Sequence, residues 1–280
     1  MNKIMYYLNM MKPTANNTRN GVIIVLEKRQ YPILEFDPCR SAYIEPSNLI
    51  KSIDIPECCI ITFFRDIIEM KKNNGQLKQV ASIHSETLDI PVYETIYNEK
   101  RVALVLGFVG AAGSAGLLEE LIAFGCRKFI VCGGAGVLQK DIAVGHLIIP
   151  TSAVRDEGVS YHYIEPSREI ECDQDIVEVI EREFKKDGIK YIKAKTWTTD
   201  AFYRETKEKV LLRISEGCVT VEMETAAFFA VAKFRNVALG QILYGGDDLS
   251  GEEWDGRKWS KRKDIRENLV DLSIKICLQL

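Results

Sequence analysis

Three times along this chain a short apolar run ends directly in glycine: Arg101–Leu106 (RVALVL) runs into Gly107, Lys128–Cys132 (KFIVC) into Gly133, and Ala238–Tyr244 (ALGQILY) into Gly245. Segments this short and this continuously apolar suit strands buried on both faces, the mark of a sheet layered between helices. Helical patterns lie between them. DIIEMKKNNG reads as a helix stopped by Gly75 and LLEELIAFG as one stopped by Gly125. Further helices are expected around Asp175–Lys186, within TAAFFAVAKF, and from about Lys263. CCIITFF at 58–64, HLIIPTSAV, YIKAKTWTT and GVIIVL at 21–26 add strands. The alternation predicts an α/β fold: a single domain with a central mixed β-sheet flanked by helices, covering 21–280 behind an irregular N-terminal extension of residues 1–20. In such folds ligands bind where carboxyl ends of strands meet the starts of helices.

Composition narrows the function. Among 280 residues, 37 Lys+Arg face 40 Asp+Glu, a formal net charge of −3. No basic run is dense enough to neutralise a nucleic-acid backbone. No apolar stretch reaches the roughly 18–20 residues of a membrane span, and the first twenty residues lack the apolar core of an export signal. The eight cysteines form no CxxC pair and mostly sit in apolar runs, so they read as reduced, buried thiols of a cytoplasmic protein. The three histidines lack ligand spacing, so no metal is expected.

Four motifs carry chemistry. Gly107–Gly116 (GFVGAAGSAG) reads as a glycine- and alanine-rich turn between a strand and a helix, where backbone N–H groups and the helix dipole favour an anion. It has neither the Gly-Lys-Ser/Thr of a P-loop nor a clean GxGxxG. Cys132–Val137 (CGGAGV) reads as a second glycine turn. In VTVEMETAA a strand ends at Glu222-Met223-Glu224 and a helix begins. These carboxylates either answer the helix dipole or accept hydrogen bonds from the vicinal hydroxyls of a sugar, with Met223 as an adaptable apolar surface. In YGGDDLSG, Asp247 or Asp248 at a strand end is either a turn residue or a general acid with its pKa raised by burial.

Taken in order, GFVGAAGSAGLLEEL, CGGAGV, VGHLIIPTSAVRDEGVSYHY, FY, VEMETAA and GGDDLSG resemble the nucleoside phosphorylase-I family, most closely its uridine phosphorylase-like members. The resemblance implies a mixed-sheet α/β domain that forms homo-oligomers, dimers or hexamers. It implies attack of phosphate on C1′ of a nucleoside, releasing base and ribose 1-phosphate, with phosphate as co-substrate and no other cofactor. Carried over, Glu224 binds the ribose hydroxyls, Met223 packs on the sugar and Glu222 supports them. Phe202 packs on the base with Tyr203 beside it. Asp247 takes the position of the catalytic Asp of purine-acting members, with Asp248 its alternative. Arg40, in Phe36-Asp37-Pro38-Cys39-Arg40, with Gly110 and Gly134, holds phosphate.

The chain departs from that pattern where relatives bind phosphate. Phe36 replaces the glycine of a Gly-Asp-Pro-x-Arg loop, Val131 replaces an arginine, and Gly134 replaces a hydroxyl residue. Losing a bidentate arginine removes a strong anion contact; Arg65 and Arg155 are candidate substitutes that position alone does not establish. The Gln and Arg that read uracil have no clean match around Arg204–Lys207. A nucleoside hydrolase on the same fold, or a non-catalytic nucleoside-binding protein, therefore stands beside the phosphorylase reading.

Overall fold

The computed structural model describes residues 26–280 and, before them, only the backbone of Thr18–Arg19 and Val22–Ile23, which pair as a small antiparallel ribbon. The expected 1–20 extension and the GVIIVL strand lie largely outside the described residues. From Cys58 onward the chain alternates as the glycine-terminated runs require. The strands are β1 (Cys58–Thr62), β2 (Lys78–His84), β3 (Asp89–Tyr97), β4 (Lys100–Leu106), β5 (Lys128–Val137), β6 (Leu147–Asp156), β7 (Glu169–Glu171), β8 (Tyr191–Thr199), β9 (Cys218–Glu222) and β10 (Ala238–Asp248). The helices are α1 (Arg65–Asn73), α2 (Ala111–Phe124), α3 (Gln174–Lys186), α4 (Lys207–Ser215), α5 (Thr225–Arg235) and α6 (Lys263–Cys277).

All ten strands join one mixed sheet in the order β9-β8-β6-β10-β5-β1-β4-β3-β2, with β7 on β6. β9 also pairs with β5, through Thr220 to Val137 and Val221 to Gly136. Strands β9, β8, β6, β10 and β5 therefore close a ring, which removes the exposed edges an open sheet would leave there. β1, β4, β5 and β10 run parallel, and β6, β8 and β9 run parallel to one another in the opposite sense. Helices α1, α3 and α6 form one layer, and α2 packs against α5 in another. Cys59, Ile60, Ile61, Leu104, Phe129, Ile130, Val131, Phe184, Phe228 and Tyr244 are almost wholly buried between them.

Two glycine segments differ from the sequence expectation. The turn after β4 is only Gly107–Gly110; Ala111–Gly116 already belongs to α2. The small residues there let Phe108 fold back over the helix start, where a Cβ on Gly113 would meet its Cβ at 2.8 Å. The second segment, CGGAGV, is not a turn but the last six residues of β5. Here β10 pairs through Tyr244 to Gly134 and Gly245 to Ala135. Its glycines make room for rings crossing the strand: a Cβ would meet Phe63 at 3.0 Å on Gly133 and Trp259 at 2.9 Å on Gly134. The β2–β3 hairpin and α4 had no place in the sequence reading. Of the cysteines, Cys39 is half-buried and the other seven are buried, all as free thiols. Among the described residues no helix is long and apolar enough to cross a membrane, and no group of three or more His, Cys, Asp or Glu is placed to hold a metal.

Candidate active site

The two glutamates of VEMET divide the roles that spacing left open. Glu222 ends β9 and caps α5: its Oε2 accepts from the backbone N–H of Glu224 at 2.8 Å and of Thr225 at 2.7 Å. Its Oε1 accepts from the Thr198 hydroxyl at 2.6 Å, one strand across, in the Thr198–Glu222 register of β8 and β9. The same hydroxyl accepts from the Ala226 N–H at 3.0 Å. Glu222 is thus consumed by the dipole and the orphan N–H groups of the helix it opens. Burial raises its pKa, and these donors oppose that rise.

The Glu224 side chain makes no hydrogen bond to its own helix. Its carboxylate crosses to the start of α2, where Oε1 accepts from the Gly110 N–H at 2.5 Å. Gly110 has φ 100°, a conformation that only glycine adopts freely, so it alone can turn this amide toward Glu224. The Glu224 carboxylate therefore lies between the N-termini of two helices. Burial, and then the neighbouring charge of Glu222, push its pKa up to about 8 against the pull of the Gly110 amide. Met223, between the two, is half-buried. A buried carboxylate with one backbone donor and spare lone pairs is suited to accept hydrogen bonds from a diol.

The aspartates also separate. Asp248 is a turn residue: its Oδ1 accepts from the Ser250 N–H and hydroxyl, and Arg257 lies 3.6 Å from Oδ2. Asp247 is the more available group. Its Oδ2 accepts from Trp254 Nε1 at 2.7 Å, while Oδ1 lies 3.6 Å from where a Cβ on Gly136 would be. Gly136 pairs with Val221, the residue before Glu222, so Asp247 faces the end of β9. Arg257 clamps the strand end from behind, donating to the carbonyls of Gly246, Asp247 and Ile142. Phe202 and Tyr203 form a 3-10 turn just beyond β8, their ring centroids 4.0 Å apart and both exposed. Two residues on, half-buried Glu205 has its pKa raised to about 7 by burial and by the charge of Asp247.

The residues expected to hold phosphate do not converge. Arg40 stacks on Phe234, 4.5 Å from the ring centroid, ten residues or about 15 Å of helix beyond Glu224. It lines a separate cleft of about 900 Å³ with Glu119, His162 and Tyr163. Gly134 is paired within β5 and covered by Trp259, and the Gly110 amide is spent on Glu224. Val131, in place of the arginine, is fully buried. Arg155 is committed to Ser160 Oγ, Ser167 Oγ and the carbonyls of Ile164 and Glu165. Arg65 differs: it opens α1 directly beyond β1, whose Thr62 carbonyl accepts from the Gly107 N–H at 2.9 Å. Its exposed guanidinium has no ion pair or side-chain hydrogen bond among the described residues.

Sequence reasoning missed Thr198, Glu205, Trp254 as a partner of Asp247, and the Arg257 clamp. Thr198 had a faint signal in the period-two threonines of KAKTWTT. Thr196 and Thr198 are both fully buried, and Thr196 likewise meets Thr220 across the strands at 3.0 Å. The others rest on loops whose return to the sheet leaves no periodic trace.

A family model described as the phosphorylase superfamily matches residues 64–279. The guanosine phosphorylase of Halorubrum lacusprofundi is 27% identical over 242 residues, covering 82% of this chain and 96% of that protein. The crystal structure of uridine phosphorylase from Vibrio fischeri superposes with a TM-score of 0.67 at 19% identity, covering 82% of this chain and 95% of its own. That of AMP nucleosidase from Bacteroides thetaiotaomicron gives 0.64 at 21% identity, covering 81% and 88%. At these identities the two structures share the fold alone.

Proposed function

We propose that this chain, which belongs to the phosphorylase superfamily, is a nucleoside phosphorylase that cleaves the N-glycosidic bond with phosphate, yielding free base and ribose 1-phosphate. The observation that carries the proposal is Glu224, a buried carboxylate aimed from the start of α5 at the start of α2 and held by a single backbone donor. A ribose 2′,3′-diol supplies the hydrogen bonds it lacks, and Met223 supplies the apolar floor. As the C1′–N bond breaks, positive charge grows on the sugar ring and negative charge on the base. The ionised Glu224 of the diol complex stabilises the first. Asp247, with Phe202 stacked on the base plane, answers the second by donating a proton or hydrogen bond to the leaving ring.

A purine nucleoside is the substrate we favour, with uridine second. Asp247 supports it, as does the absence of a Gln/Arg pair for uracil around Arg204–Lys207. The Halorubrum relative, named a guanosine phosphorylase, points the same way. Arg65 is the group we assign to phosphate, from its place at the carboxyl end of β1 beside Gly107. Exposed Phe202, Tyr203 and Trp254 support a homo-oligomer whose partner covers this rim. No other cofactor is invoked, and the cytoplasm is the proposed compartment.

A hydrolase is favoured by one specific observation: Val131, Gly134 and Arg40 offer no phosphate cradle at the positions where the family resemblance puts one. A panel of guanosine, inosine, adenosine and uridine, with and without phosphate, separates the readings. Ribose 1-phosphate formed only with phosphate supports phosphorolysis. Free ribose at equal rates with and without phosphate overturns it in favour of the hydrolase.

A further inference from the structure

Asp247 carries two oxygens, and which of them meets a departing base depends on how its carboxyl is turned. Rotation about the Cβ–Cγ bond is soft, so a neighbour must fix it. Trp254 does so: its Nε1–H donates to Asp247 Oδ2 at 2.7 Å. Oδ1 is left as the oxygen toward Gly136 and the end of β9. Among the described residues no other side chain donates to this carboxyl. Arg257 is spent on the carbonyls of Gly246, Asp247 and Ile142 and on the approach to Asp248.

The bond is not a by-product of core packing. Trp254 is 67% exposed, whereas Trp197 is fully buried and Trp259 packs against the core. The loop that carries Trp254 is pinned on both sides of the pair. The backbones of Asp248 and Asp255 exchange two hydrogen bonds, at 2.8 and 3.0 Å, one residue beyond Asp247 and one residue beyond Trp254. The indole lies across Gly256, where a Cβ would meet its Cη2 at 2.9 Å. Asp255 Oδ1 then accepts from the Arg257 N–H at 2.8 Å. Arg257 and Lys258 follow with φ 39° and 51°, left-handed conformations that residues with a Cβ adopt where the surroundings impose them. The Arg257 guanidinium supplies that constraint through its three carbonyl contacts. An exposed aromatic on a loop fixed at so many points is held for its polar edge.

We propose that Trp254 is a positioning residue for base departure: its indole N–H fixes the Asp247 carboxyl so that Oδ1 is the oxygen offered to the base ring as the C1′–N bond breaks. The inference rests on the nucleoside-cleaving reading above, with a purine as the base. The electron pair of the breaking bond stays with the ring, so negative charge gathers where Asp247 must meet it. A carboxyl free to turn spends part of its time misaligned, and a hydrogen bond weakens steeply as its angle closes. Trp254 acts through Asp247.

The test compares guanosine with 7-methylguanosine, whose base is already cationic and departs as a neutral molecule without help from Asp247. Two changes remove the donor. Trp254→Phe keeps an aromatic ring, and benzothienylalanine in place of Trp254 keeps the bicyclic outline with sulfur where the N–H was. Both are expected to lower kcat for guanosine about tenfold or more, part of the 10²–10⁴ that a general acid contributes. The guanosine KM, and kcat for 7-methylguanosine, are expected to stay within about twofold of wild type, with an unchanged melting temperature. An equal loss for both nucleosides, or a loss for neither, overturns the proposal while leaving the phosphorylase reading intact. A second measurement needs no turnover. The chain has three tryptophans, and the Trp254 indole N–H resonance is identified by its disappearance in Trp254→Phe. In Asp247→Ala it is expected to move upfield as its carboxylate acceptor is lost, and a resonance that does not move overturns the proposal. Wild type that cleaves neither nucleoside overturns the purine nucleoside reading and this role with it.

Discussion

Thr198→Val replaces a hydroxyl with a methyl at nearly constant volume in a site that is fully buried. The hydroxyl does two things at once: it donates to Glu222 Oε1 at 2.6 Å and accepts from the Ala226 N–H at 3.0 Å. Its loss strips a buried carboxylate of a charge-assisted bond, worth about 1.5–3 kcal/mol, and orphans a buried amide at about 1–3 kcal/mol. The two losses share one environment, so a total of about 3–5 kcal/mol is expected rather than their upper sum. Thr198→Ser keeps the hydroxyl and removes only a methyl, at about 1 kcal/mol. Urea unfolding followed by tryptophan fluorescence checks this. With a slope of about 3 kcal/mol/M the valine variant shifts the midpoint down by about 1–1.7 M and the serine variant by about 0.3 M. Because Glu222 caps the helix that presents Glu224, nucleoside cleavage is expected to fall in the valine variant even where it remains folded. A valine variant within 1 kcal/mol of wild type would refute the reasoning: Glu222 would then not depend on the Thr198 hydroxyl, and the α5 start would be held by other contacts.

Arg65→Ala is expected to raise the phosphate KM tenfold or more with little change in nucleoside KM, and Arg40→Ala to leave both within about twofold; initial-rate kinetics against phosphate decide the pair. Gln241 is buried in β10 with neither amide atom bonded. Gln241→Met, close in volume, is therefore expected to stabilise the protein by about 1–2 kcal/mol, read as a higher urea midpoint. Glu224 and Glu205 have folded pKa values of about 8 and about 7, both above the ordinary 4.5. The folded state therefore binds more protons between the two limits. Their contribution is fully present below about pH 4.5 and is lost as pH rises through 7 to 8. Glu224→Gln is expected to flatten the upper part of that decline in denaturation curves taken across pH.

The boundaries of most elements were legible because they depend on local pattern. Gly75 and Gly125 end α1 and α2 one or two residues past the last helical residue, as helix C-termini favour. The apolar runs at 101–106 and 238–244 each lie in a strand of the sheet, and that at 58–64 supplies Cys58–Thr62 to one and the N-cap Phe64 to α1. The β2–β3 hairpin was missed because Lys78–His84 alternates weakly and lies at the sheet edge, exposed over much of its length. CGGAGV was misread for a related reason. Glycine usually breaks a strand, but rings from Phe63 and Trp259 lie across this one and fill the space that side chains would occupy.

The site divides along the same line. Glu222, Met223 and Glu224 could be named from sequence, since a strand end followed by a helix start is a local pattern that carries its own electrostatics, and Asp247 as an acidic residue at a strand end. Which glutamate caps α5 and which reaches across to α2 was decided by the Gly110 amide, 114 residues away along the chain. The family resemblance at Phe36–Arg40 implied a phosphate contact for Arg40, yet tertiary packing stacked that side chain on Phe234 and left Arg65 at the glycine-lined strand end. Sequence by itself determined the α/β layering, because burying apolar runs of this length leaves few other solutions. Only the tertiary structure decided the partners of each carboxylate, because those pairings depend on which loops return to one sheet edge, and no local periodicity encodes that return.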